Sequence, residues 1–92
     1  MGTEILDEVF AVIEDRRDNP REGSYVSSLL ASGKVSEKIE EEASELVEAA
    51  QGCDRREIVH EAADLIFHTM VLLAAKGVKL GEVMEELRRR RR

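Results

Sequence analysis

Between Ala62 and Ala75 the only formally charged residue is Asp64, set among Leu65, Ile66, Phe67, Met70, Val71, Leu72 and Leu73. A run of that length and spacing reads as a largely buried helix. An unpaired carboxylate inside it is costly and tends to protonate, so Asp64 needs a cation. Apolar residues also recur at helical spacing elsewhere, with Gly, Pro and Asn between the segments and no strand-like alternation. The fold class is therefore all-α: a bundle of four to five helices in one domain spanning residues 1–92. A domain of 92 residues buries a limited share of its surface, so homodimerisation is expected to complete the core. With one Tyr, two Phe and no Trp, packing falls to Ala, Leu, Val and Ile.

The helices are bounded by their punctuation. The first follows Thr3 as N-cap, buries Leu6, Val9, Phe10 and Ile13, and stops before Asp18-Asn19-Pro20. Ser24 caps a short second helix with Val26, Leu29 and Leu30, closed by Gly33. The third runs from about Ser36 to Gln51, with Gly52 just after it. Asp54 followed by Glu57 resembles a capping arrangement opening the fourth, which Gly77 closes. The last begins near Leu80 and carries Val83, Met84 and Leu87 before five arginines, Arg88 to Arg92.

A formal charge of -6 argues against general attraction to nucleic acid. The terminal arginines have no accompanying aromatic or recognition helix and read as a frayed helix end. One cysteine, Cys53, forms no intramolecular disulfide, and the acidic start Met1-Gly2-Thr3-Glu4 lacks the pattern of a signal peptide, so the cytoplasm is the expected compartment. The longest charge-free stretch, Leu65 to Ala75, is too short to span a bilayer and contains His68, so no membrane partner is expected.

On the third helix Ile39, Ala43, Leu46, Val47 and Ala50 form an apolar face, with Glu42 and Glu45 together along its edge. Glu41 and Glu48 project to the far side. Residues three apart on a helix have Cβ atoms roughly 5–6 Å apart, which lets two carboxylates reach one cation. Glu61 and Asp64 on the fourth helix repeat that spacing. Packed helices lie about 8–10 Å apart, a gap in which Glu42, Glu45, Glu61 and Asp64 can converge on a metal ion. Oxygen-only ligands suit Mg²⁺, which bridges carboxylates to substrate phosphates. The competing reading is that Glu42 and Glu45 are solvated while Asp64 pairs with Arg or Lys in a non-catalytic helical dimerisation module. Paired acids at this spacing are common in a chain with 20 of them.

Glu42-x-x-Glu45, fifteen residues, then Glu61-x-x-Asp64 resembles the signature of the all-α nucleoside triphosphate pyrophosphohydrolases, the MazG-like and dimeric dUTPase group. Ser24-Tyr25 with Leu29 and Gly33, Lys38-Ile39-x-Glu41-Glu42-Ala43-x-Glu45, and Glu61-Ala62-Ala63-Asp64-Leu65-x-x-His68 resemble the phosphoribosyl-ATP pyrophosphohydrolases of histidine biosynthesis. The likeness extends from the first helix to Val83. It implies a homodimer that hydrolyses phosphoribosyl-ATP to phosphoribosyl-AMP and pyrophosphate with Mg²⁺. Glu42, Glu45, Glu61 and Asp64 would hold the metal, and Glu41 would be an accessory ligand or base, making Glu41, Glu42 and Glu45 the catalytic candidates. Departures are Glu40 in place of a frequent Gly, Val26 in place of Thr and Phe67 in place of Tyr. A housekeeping MazG-like nucleoside triphosphate pyrophosphohydrolase is the alternative enzyme.

Lys34 and Lys38 open the third helix, and Lys38 stands one turn before Glu42, within reach of a phosphate beside the metal or of the acids themselves. Arg17, between Arg16 and the nearby Arg21, is a further phosphate-binding candidate, although helix ends commonly carry such cations. His68 reads as a hydrogen-bonded core residue rather than a ligand of an oxygen-loving ion. Cys53 and His60 are assigned no role.

Overall fold

Cooperative helix formation requires a packed apolar face, and each helix of this chain supplies one. The computed structural model describes residues 2–91, which form five α-helices: α1 (Glu4–Asp18), α2 (Tyr25–Ser32), α3 (Val35–Gly52), α4 (Arg55–Ala75) and α5 (Leu80–Arg90). No strand occurs among the described residues. Phe10, Ile13, Val26, Leu29, Val35, Met70, Val71, Ala74 and Leu80 make up the core, with Val71 fully enclosed. α3 and α4 pack along each other most extensively, and α1 and α2 close the other side of α4. By length and composition α4 is also apolar enough to cross a membrane; here it is the central helix of the bundle, with Glu61 and Asp64 in it.

The caps follow the sequence closely. Ser24 Oγ accepts from the Ser27 amide, Gly33 turns left-handed at φ 71°, and Asp54 accepts from the Arg56 amide. Thr3 occupies the first cap without a side-chain bond. Lys79 opens α5, its amide donating to Glu82 Oε2 at 2.9 Å. The Arg17 guanidinium donates to the Ala74 carbonyl at 2.7 Å, which also accepts from the Gly77 amide at 3.1 Å, and so ties α1 to the end of α4.

Three expectations change. α3 continues through Gly52, so Cys53 and not Gly52 takes the left-handed position, at φ 60°. The seam of α3 runs through Val35, Ile39, Glu42, Leu46 and Ala49, roughly 60° round the helix from the centre of its apolar residues. Glu42 is thereby turned into the core rather than along its edge, while Val47 is 58% exposed. α4 is also less covered than its composition suggests: Ile66 is 50% exposed and Val59 63%. Leu65, Ile66, Met70 and Leu73 line a groove of about 380 Å³ with Leu6, Leu80, Met84 and Leu87, open along one side of the subunit.

Candidate metal centre

The α3–α4 seam brings acids from both helices together. Glu42 is 5% exposed; Lys38 Nζ stands 3.4 Å from its Oε1, while its Oε2 has no partner. Glu61 lies opposite on α4 and also has a buried, unpartnered Oε2. Glu45 stands beside both, its carboxyl close enough to interact with those of Glu61 and Glu42. Ionised carboxylates only accept hydrogen bonds, so such a contact requires a proton or cation between them. Its hydrogen bond to Glu61, then partial burial and the Glu61 charge, push the Glu45 carboxyl above the usual glutamate range.

One carboxylate oxygen each from Glu41, Glu42 and Glu45 lies within 4.8 Å of the others, and the same holds for ligand atoms of His60, Glu61 and Asp64. Asp64 sits at the margin rather than the centre. Its side chain is 36% exposed, and His60 Nε2 is 3.3 Å from it. The strongest demand for a cation therefore comes from Glu42 and Glu61, not from Asp64. A hard cation fits this donor set: all-oxygen, multiply charged, and holding two lone-pair sites that no protein donor fills.

Beside the cluster lies a polar cleft of about 350 Å³, lined by Tyr25, Ser28, Ser32, Lys34, Lys38 and Glu41 among others. Partial burial pulls the Lys38 ammonium down, but bonds to Glu42 and Glu41 outweigh it and hold its pKa above the ordinary lysine value. Lys34 lines the same cleft. Arg17 is elsewhere, in the crevice between α1 and α2 with Arg16, Ser27 and Ala75, its guanidinium engaged by Asp18 and the Ala74 carbonyl.

The sequence reading left one pair unconnected. His68 is 5% exposed, its Nδ1 2.8 Å from the Asp64 carbonyl oxygen and its Nε2 2.8 Å from the Tyr25 hydroxyl. Both ring nitrogens are used inside the protein, in keeping with its reading as a core residue. The available signal was its position on the face of Glu61 and Asp64; Tyr25, on another helix, gave none.

The match to known proteins extends over the whole arrangement. The sequence model described as phosphoribosyl-ATP pyrophosphohydrolase matches residues 6–91. The chain belongs to that family. A phosphoribosyl-ATP pyrophosphatase of Methanocella arvoryzae is 53% identical, the match covering 97% of this chain and 98% of the relative. Proteins of the same name from Methanococcoides burtonii (47% identical; 95% and 92% covered) and Methanopyrus kandleri (47%; 97% and 96%) are also similar over nearly their full lengths.

Proposed function

We propose that the chain hydrolyses phosphoribosyl-ATP to phosphoribosyl-AMP and pyrophosphate, the activity named for its relatives, with Mg²⁺ held by Glu42, Glu45, Glu61 and Asp64. The observation carrying the metal reading is the pair of buried carboxylate oxygens, Glu42 Oε2 on α3 and Glu61 Oε2 on α4, that no donor among the described residues satisfies. When bound, Mg²⁺ supplies charge neutralisation for the phosphates. The residues do the rest. Lys34 and Lys38 line the cleft beside the acids and would meet the phosphates as point charges. Glu41, exposed and within 4.8 Å of its neighbours' oxygens, is the carboxylate placed to take a proton from attacking water.

A homodimer belongs to the same reading. The open groove lined by Leu65, Ile66, Met70, Leu80 and Leu87, together with exposed Ile5, is apolar surface that a second copy would cover.

Substrate identity is tested by incubating purified protein with Mg²⁺ and either phosphoribosyl-ATP or ordinary nucleoside triphosphates. Pyrophosphate release from the former alone is expected. Release only from the latter would replace this reading with that of a housekeeping pyrophosphohydrolase.

A further inference from the structure

Tyr25 is the first residue of an eight-residue helix and 51% exposed, a position where an aromatic ring would ordinarily sample several rotamers. Here it is fixed from two directions. Phe67 lies offset-stacked on it, with centroids 6.4 Å apart and planes at 29°. His68 meets it edge-on at 5.8 Å and 88°, within hydrogen-bond reach of its hydroxyl. The Asp64 carbonyl oxygen only accepts, so the proton of His68 resides on Nδ1. With the ring's one proton on Nδ1, Nε2 accepts and the Tyr25 hydroxyl donates to it. A buried imidazole, held by a helix backbone, thus orients a half-exposed phenol.

What remains open of the Tyr25 ring lines the cleft that holds Lys34, Lys38 and two serine hydroxyls beside the carboxylates. We propose that Tyr25 is a substrate-contacting residue, an aromatic wall on which the heterocyclic base of the nucleotide stacks, and that His68 is the positioning residue that holds it there. The proposal rests on reading this cleft as the substrate's seat. Stacking on a base remote from the scissile bond binds ground and transition states alike, so it governs KM and leaves kcat unchanged. Holding the ring in place beforehand spares the ordering of one side chain on binding.

Steady-state pyrophosphate release, with melting temperatures measured in parallel, tests this. Tyr25→Ala should raise KM about 5- to 150-fold, the value of one base–aromatic stack. Tyr25→Phe, which keeps the ring and loses its tether, should raise KM about 2- to 12-fold, with kcat unchanged. His68→Leu should match Tyr25→Phe, the double variant should be no worse than either, and His68→Gln, whose amide oxygen accepts from the hydroxyl, should restore KM. An unchanged KM in Tyr25→Ala, or additive losses in the double variant, overturns the proposal even if His68→Leu melts lower. A wild-type protein inactive on phosphoribosyl-ATP overturns the reading of the cleft itself.

Discussion

Replacing Glu42 by Gln should stabilise the metal-free protein while abolishing its response to Mg²⁺. The Glu42 side chain is 7% exposed and leaves Oε2 without a donor. An unsatisfied buried acceptor costs about 1–3 kcal/mol, and more when charged. The ion pair to Lys38, 3.4 Å long and with Lys38 itself 31% exposed, returns only about 0–1 kcal/mol. Gln keeps the shape, removes the charge and gives Glu45 a donor. The expected net gain is about 1–2 kcal/mol, which in a domain of this size raises the melting temperature by roughly 4–16 °C. Saturating Mg²⁺ should reverse the order: at a hundredfold excess over its dissociation constant it stabilises the wild type by about 2.7 kcal/mol, and the variant by almost nothing. Pyrophosphate release should fall by more than the roughly 10- to 100-fold typical of lost outer-shell partners, since a direct ligand is removed. Calorimetry in chelator and in Mg²⁺, at one protein concentration, reads both effects. A variant that melts lower than the wild type in chelator, yet gains as much from Mg²⁺, would refute the reasoning.

Other outcomes follow from the same geometry. Glu45 has a raised pKa in the folded state, so its contribution to stability is fully present below the ordinary value of 4.5 and is lost as pH rises through the raised one. The stability of the metal-free wild type relative to Glu45→Gln should therefore fall with rising pH, measured by melting from acid to neutral; a rise of the wild type relative to the variant contradicts the shared proton. Cys53→Gly relieves a left-handed non-glycine position and should stabilise by up to about 1 kcal/mol in denaturant titration, whereas Gly33→Ala should cost about 1 kcal/mol. Ile66→Asp places a charge in the open apolar groove and should shift sedimentation from dimer to monomer; a wild type already monomeric would remove the dimer from the reading.

The helices and their stops were largely legible because caps act locally: Ser24, Gly33 and Asp54 do in the structure what their chemistry requires. The one-residue extension of α3 through Gly52, with Cys53 as its left-handed cap, was not, since glycine is the usual left-handed residue and Gly52 stood one position early. Hydrophobic periodicity also placed Glu42 at the margin of α3, because counting apolar residues centres the seam on Val47's side. Packing against α4 runs instead through Val35 and Ala49, and carries a carboxylate inwards. For Asp64 the error was of the opposite kind. Apolar neighbours marked its helix as covered, but Ile66 and Leu65 border an open groove, and Asp64 itself is within reach of solvent and His60. Helical spacing paired Glu42 with Glu45 and Glu61 with Asp64 along their helices; the Tyr25–His68 link, joining residues distant in sequence, left no such signal.

Anomalous scattering from crystals soaked in Mn²⁺, a stand-in for Mg²⁺, is the most direct test of a carboxylate-held cation. A peak within coordination distance of Glu42 and Glu61, with Glu45 and Asp64 completing the set, is the expected result. A saturated crystal with no peak between α3 and α4, or with the ion bound only elsewhere, would contradict it.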